Sequence, residues 1–269
     1  MINPSVKVIE MKDKEPGQTR TPSGMPIPPA WTHVLVAKSA SAPVQAVGID
    51  SKGRKVYVYS PKHRTQSSSK KFKRLTAFAE ALPKILNKIE TDVKRNKEEA
   101  LILDLIYKTG FRIGSGVDTK AAKKAYGAST LLGKHVSIHD SNLNFKFTAK
   151  KGVETEKTIH DPTLATKLAT KIRHNEEPIF KVSGSEVRDY LKGINKKFVI
   201  KDFRTYRGTL TAQNMIKSMP LPKTKKEFKK NRKIVATAVA SELGNTPTVA
   251  LGSYIAPEVF RPWMEAIGI

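Results

Sequence analysis

The sequence predicts an α+β protein, with a small N-terminal antiparallel β-sheet domain and a larger, mainly α-helical domain that carries a small three-stranded sheet. Three observations lead there. Alternating β-branched and aromatic residues, broken by turn signals, cluster between residues 33 and 60. A second set of short alternating segments occupies residues 134–160. From Pro162 onward apolar residues recur mostly at helical spacing.

Taken in order, residues 1–24 are polar and punctuated by Pro4, Pro16, Gly17, Pro22 and Gly24, which predicts a flexible arm. Met25–Trp31 is an extended, proline-rich segment. Strands follow at His33–Ala37, Val44–Asp50 and Lys55–Ser60, the last two joined by a turn at Ser51-Lys52-Gly53-Arg54. Residues 61–71 read as a basic flexible loop, and a helix runs from about Phe72 toward Arg95, bent or interrupted at Pro83. The domain boundary falls near residue 78, giving an N-terminal β-rich domain over 25–78 and a second domain over 79–269. An apolar helix from Lys97 to Lys108 stops at Gly110, and Phe111-Arg112-Ile113-Gly114 follows. Strands are predicted at Lys134–His139, Asn142–Thr148 and Glu154–His160. Helices are predicted at Leu164–His174, Glu186–Ile194, Asp202–Ser218 and Lys225–Leu243. Gly244 terminates the last of these, and Thr246-Pro247 caps and opens a helix that carries Tyr254. A final segment follows Pro257.

Lys and Arg number 49 against 24 Asp and Glu, a formal charge of +25. Such a surplus repels itself unless a polyanion neutralises it, and nucleic acid is the first candidate. A membrane partner is not expected, because no long uncharged apolar run or basic amphipathic anchor is present. The absence of cysteine excludes disulfides, thiolate catalysis and cysteine-ligated zinc, and fits an intracellular protein. No secretion signal is read at the N-terminus.

Offsetting charge on a transferring phosphoryl group takes metal ions or positioned cations. Acidic residues are thinly spread, and His135 and His139 read as two exposed strand histidines, so no metal and no cofactor is expected. The cationic route is better stocked. Arg112 follows the end of an apolar helix, and Lys201 and Arg204 open the next long one, where the positive helix end favours an anion. Two arginine forks grip a phosphate in a way that one lysine cannot. Lys150, at a hairpin tip, is placed to protonate a leaving oxygen, and Tyr254 to act as nucleophile. Each has a plain alternative: salt bridges for the arginines, an ordinary basic turn for Lys150, a packed phenol for Tyr254. Tyr57 and Tyr59 share one strand face, beside Arg54 and Lys55, and read either as cross-strand packing or as a nucleic-acid surface.

Several ordered segments together resemble the small type IB DNA topoisomerases of poxviruses, mimivirus and many bacteria. They are Pro28-Pro29-Ala30-Trp31-Thr32, Gln45-Ala46-Val47-Gly48-Ile49-Asp50 with Gly53-Arg54-Lys55, Phe111-Arg112-Ile113-Gly114, and Tyr126-Gly127-Ala128-Ser129-Thr130-Leu131. The others are Lys150-Lys151-Gly152-Val153, Lys201-Asp202-Phe203-Arg204-Thr205-Tyr206, and Leu243-Gly244-Asn245-Thr246-Pro247 with Ser253-Tyr254-Ile255. The resemblance covers nearly the whole chain after about residue 24. It implies the tyrosine-recombinase/topoisomerase IB fold, with two lobes that close on double-stranded DNA as a clamp. It implies that Tyr254 attacks a phosphodiester to give a 3′-phosphotyrosyl link, with Arg112 and Arg204 on the nonbridging oxygens. Lys150 would be the acid for the 5′-oxygen and Asn245 a further donor to the phosphate. The nicked duplex would swivel and be resealed without ATP. Poxvirus members carry histidine where Asn245 stands, and some bacterial and mimivirus-like members asparagine.

Candidate DNA contacts are Arg54, Lys55, Tyr57, Tyr59, Lys151 and Lys201; the positions of Tyr57 and Tyr59 touch bases in the family. A monomer, intracellular and DNA-associated, is expected, in bacterial cytoplasm or nucleoid, or in a virus particle or infected cell. Two other readings share the catalytic fold, the first of them with the same phosphotyrosine chemistry. A tyrosine site-specific recombinase usually carries His-x-x-Arg where Lys201-x-x-Arg204 stands, and commonly starts with a helical domain. A non-enzymatic nucleic-acid-binding protein on the same fold would have no need of the full set of polar groups.

Overall fold

The computed structural model describes residues 10–120 and 123–269. The chain divides into two compact units, one ending at Lys73 and the other spanning Arg74–Ile269. Among the described residues the first unit holds an antiparallel sheet of β1 (Met11–Asp13), β2 (Thr32–Ala37), β3 (Val44–Ile49) and β4 (Lys55–Tyr59), in that spatial order. Ile27, Val36 and Ala46 are buried beneath Val34 and Val58. Gln45, fully buried, is satisfied by bonds to the carbonyls of Ser39, Ala40 and Ala42 and to the Ser23 N–H, so it fixes the β2–β3 connection.

The arm expected over residues 1–24 differs where it is described; residues 1–9 lie outside the described residues. Met11–Asp13 pairs with Leu35–Ala37 as an edge strand, and Arg20 bridges Pro26. A three-residue edge strand carrying two charges has no alternation to announce it.

The basic loop expected at 61–71 is helical. Helix α1 runs Pro61–Lys94 without a break at Pro83, and the division between the units falls inside it. Ser60 supplies the start: its hydroxyl accepts the His63 N–H at 3.2 Å, and Pro61 takes the first helical position. Pro83 lies on the exposed side of the helix, where the carbonyl that loses its donor is open to solvent. The opposite stripe, Phe78, Leu82, Ile85, Ile89 and Val93, is buried.

Within the second unit α2 (Glu98–Thr109) is its central helix, with Leu101, Ile102, Leu103, Leu105 and Ile106 all fully buried. A four-residue helix α3 (Gly116–Thr119) follows. The second sheet, order β5-β6-β7, comprises Val136–His139, Asn142–Ala149 and Val153–His160, and Ala149 pairs with Val153 across the tip. The remaining helices are α4 (Pro162–Ala169), α5 (Gly184–Ile194), α6 (Ile200–Ser218), α7 (Lys225–Leu243), α8 (Pro247–Ser253) and α9 (Arg261–Ala266). Helix α4 ends at Ala169, capped by Thr170, well before His174. His135 is not an exposed strand residue. It is buried in a turn before β5, where its Nδ1 accepts the Leu132 N–H at 3.1 Å and burial holds its pKa below the usual value.

Candidate active site

The N-terminus of α6 is held from two sides. Asp202 accepts the Val199 N–H at 2.9 Å, capping the first turn, and receives both forks of Arg74 at 2.7 and 3.1 Å. That fixes Lys201 on the rim and turns Arg204 inward, where it is 4% exposed. Arg204 donates Nη2 to the Leu243 carbonyl at 2.8 Å and Nη1 to the Gly110 carbonyl, tying the end of α2 to the end of α7. Its Nε–H, also buried, meets no acceptor at hydrogen-bonding geometry.

At the end of α7, Gly244 adopts φ +58, the left-handed cap that lets the chain turn back. Its carbonyl accepts Arg112 Nη2 at 3.2 Å, and the same nitrogen donates to Asn245 Oδ1 at 2.6 Å. Asn245 Nδ2 donates to the Leu243 carbonyl at 3.2 Å. The Asn245 amide therefore braces Arg112 and the α7 end. An amide nitrogen carries two hydrogens, so the Leu243 bond does not exhaust it.

Helix α8 is capped by the Thr246 hydroxyl on the Val249 N–H and has Pro247 in its first turn. Tyr254 is not inside that helix but caps its C-terminus, with its N–H bonded to the Ala250 carbonyl at 2.9 Å. The Thr209 hydroxyl donates to the Tyr254 carbonyl at 3.1 Å, and Gly208 lies directly beneath. The ring is buried, with Arg204 Cζ 5.0 Å and Lys201 Nζ 5.4 Å from its centroid. Burial pushes the phenol pKa up, but the charge of Arg204 and its hydrogen bond, with the charges of Lys201 and Arg112, outweigh it, and the pKa falls below that of free tyrosine. Burial pushes the Arg204 pKa down, which Tyr254 opposes.

Arg112, Lys150, Lys201, Arg204 and Tyr254 line one cleft of about 510 Å³, together with Ser115 and Arg188. Lys150 stands exposed on the turn after β6, and Lys151 beside it has φ +69. In the first unit Lys55, Tyr57 and Tyr59 share the exposed face of edge strand β4. The two tyrosines stack at 6.1 Å, and His63 continues the stack at 5.2 Å from Tyr59. Arg54 forks Asp50 across the β3–β4 turn. Among the described residues no three acidic or histidine side chains cluster closely enough to hold a metal ion.

Sequence reasoning missed a charged cluster behind the arginines. Lys157 Nζ donates to Glu242 Oε1 at 2.7 Å, the same oxygen accepts Arg207 Nε, and Arg207 Nη1 donates to the Tyr107 carbonyl at 3.0 Å. One signal was present: Lys157 falls on the inner side of the β7 alternation, with Val153, Thr155 and Ile159.

A model of the catalytic core of eukaryotic DNA topoisomerase I matches residues 60–258. The chain is 31% identical over 252 residues to DNA topoisomerase 1B of Acanthamoeba polyphaga mimivirus, covering 85% of this chain and 75% of that one. It is 26% identical over 228 residues to DNA topoisomerase 1B of Vaccinia virus (strain Copenhagen), covering 80% and 71%. The figures for DNA topoisomerase 1 of Rabbit fibroma virus (strain Kasza) are 26% over 228 residues, 80% and 70%.

Proposed function

The chain belongs to the type IB DNA topoisomerases, and from that membership we propose that it relaxes supercoiled duplex DNA through a transient 3′-phosphotyrosyl link at Tyr254. The Tyr254 oxygen attacks a backbone phosphorus as the phenol gives up its proton to solvent. The bond to the 5′-oxygen breaks, and Lys150 donates a proton to that oxygen, a contribution typically worth ~10²–10⁴-fold. Arg112 and Arg204 hold the nonbridging oxygens as charge builds on them. Asn245 steadies Arg112 and offers its amide to the phosphate. The broken strand swivels about the intact one, and the freed 5′-hydroxyl then attacks the phosphotyrosine, restoring the backbone and the phenol. The covalent link conserves the bond, so no ATP is consumed, and in this reading the positioned cations offset the phosphoryl charge in place of a metal ion.

The observation that supports this reading best is the single cleft shared by Arg112, Lys150, Arg204 and Tyr254. The lowered phenol pKa points the same way. In this reading Lys55, Tyr57, Tyr59 and Arg54 of the first unit, and Lys151 and Lys201 of the second, contact the duplex. The protein acts as a monomer, intracellular and bound to DNA, without a membrane partner.

Plasmid relaxation in excess EDTA tests the proposal. The parent protein should relax plasmid, and Tyr254→Phe should be inactive while keeping its affinity for duplex. A Tyr254→Phe variant as fast as the parent, or complete dependence on added magnesium, contradicts it.

A further inference from the structure

Arg112 and Arg204, two arginines of the cleft, are held by consecutive backbone carbonyls, Gly244 for Arg112 and Leu243 for Arg204. The placement of those carbonyls depends on how the last turn of α7 is fixed. Glu242, the residue immediately before them, fixes it through its side chain. Its carboxylate binds Lys157 on β7 and Arg207 on α6, and Arg207 reaches on to the Tyr107 carbonyl on α2. Arg207 also packs against the end of α2, where a Cβ on Gly110 would meet its Cδ at 3.1 Å. The Gly110 carbonyl is the second anchor of Arg204.

One carboxylate therefore joins β7, α6, α7 and, through Arg207, α2. Three of these elements lead directly to Arg112, Arg204 and Asn245, and β7 leads back to the Lys150 turn. All three side chains of the cluster are partly buried, with exposures of 17%, 27% and 30% for Lys157, Glu242 and Arg207. Burial pushes the Glu242 pKa up, yet its two partners bring it below the ordinary value and keep the carboxylate charged.

We propose that Glu242, clamped between Lys157 and Arg207, is a positioning residue that sets the spacing of Arg112 and Arg204 for DNA cleavage. The inference rests on the function proposed above. It differs from a general packing role because it predicts a loss confined to the chemical step. Misplacing reacting groups by about an ångström costs up to about 10²-fold in rate.

The test is single-turnover formation of the covalent adduct on a nicked duplex, with duplex affinity and thermal midpoint measured on the same samples. Glu242→Gln should slow adduct formation by roughly tenfold to a hundredfold, with the dissociation constant within about twofold of the parent. Glu242→Asp should recover much of the rate. Arg207→Lys keeps the charge but cannot span both Glu242 and the Tyr107 carbonyl, and should be slow as well. In Lys157→Met/Glu242→Gln the losses should fall short of the sum of the single changes, as for groups acting as one unit.

Adduct formation by Glu242→Gln at the parent rate overturns the inference, as does a rate loss explained entirely by weaker binding. If Glu242→Gln does not fold, a parent-like rate for Arg207→Lys overturns it. A parent that forms adduct through Tyr254 while these variants match it removes this inference alone. A parent that forms no tyrosyl adduct removes the functional reading, and this inference with it.

Discussion

Tyr254 and Arg204 act on each other's protons in opposite senses. The buried guanidinium, with Lys201 and Arg112, draws the phenol pKa below that of free tyrosine, and the phenol in turn opposes the fall that burial imposes on Arg204. A nucleophile is helped by a pKa brought toward the working pH. Ultraviolet difference titration of the parent against Tyr254→Phe should show one phenol ionising with a midpoint below the ~10 of free tyrosine. Cleavage should rise with pH as that phenol loses its proton. A midpoint at or above the free value would mean that desolvation outweighs the cations. The residue-scale features read from sequence were those with a local signature: a glycine after an apolar helix, a Thr-Pro restart, charges at a helix start. The bonds from Arg112 to Gly244 and Asn245 span 132 and 133 residues, and no local pattern carries such a separation. The same holds for Glu242 and Lys157, 85 residues apart.

At the scale of elements, the close approach of α6 to Tyr254 decides whether the site forms. A Cβ on Gly208 of α6 would meet the Tyr254 carbonyl oxygen at 2.9 Å and Tyr254 Cβ at 3.1 Å. Helix propensity alone would favour alanine there by about 1 kcal/mol, but overpacking costs about 1–3 kcal/mol and the tyrosine backbone must yield. Gly208→Ala should therefore bring no gain in stability, measured by denaturant unfolding, and should slow adduct formation by roughly tenfold or more. A more stable variant with full activity would show that Tyr254 sits farther from α6.

The β3–β4 turn offers a second test. The Arg54 side chain, then the backbone N–H groups of Arg54 and Lys52, hold the Asp50 pKa down to about 2. A depressed carboxyl pKa stabilises the fold fully above the unfolded value and loses that contribution as pH falls through the folded one. NMR titration of the Asp50 carboxyl should give a midpoint near 2, with the Arg54 amide shift following it. A midpoint at the ordinary ~3.9 would show the turn to be unclamped. Strands β3 and β4 and helices α2 and α7 were legible because their periodicity or caps were strong. The start of α1 was not, because a Ser-Pro cap stood before a serine- and lysine-rich run that resembles a loop in composition.

At the scale of the molecule, the +25 charge is the property most directly tied to function. A surplus of this size makes duplex affinity fall steeply with salt, since each neutralised phosphate releases counterions. It supplies attraction but no chemistry. The proposed chemistry requires that residues from α6, the β6–β7 turn, the segment after α2 and the cap of α8 converge on one phosphate. The most direct measurement is incubation with supercoiled plasmid in EDTA, denaturant trapping, and mass mapping of the peptide bound to DNA. The expected product is DNA joined through a 3′-phosphate to Tyr254, in the segment that follows Pro247. Attachment at any other side chain, or relaxation with no tyrosyl adduct, would contradict it.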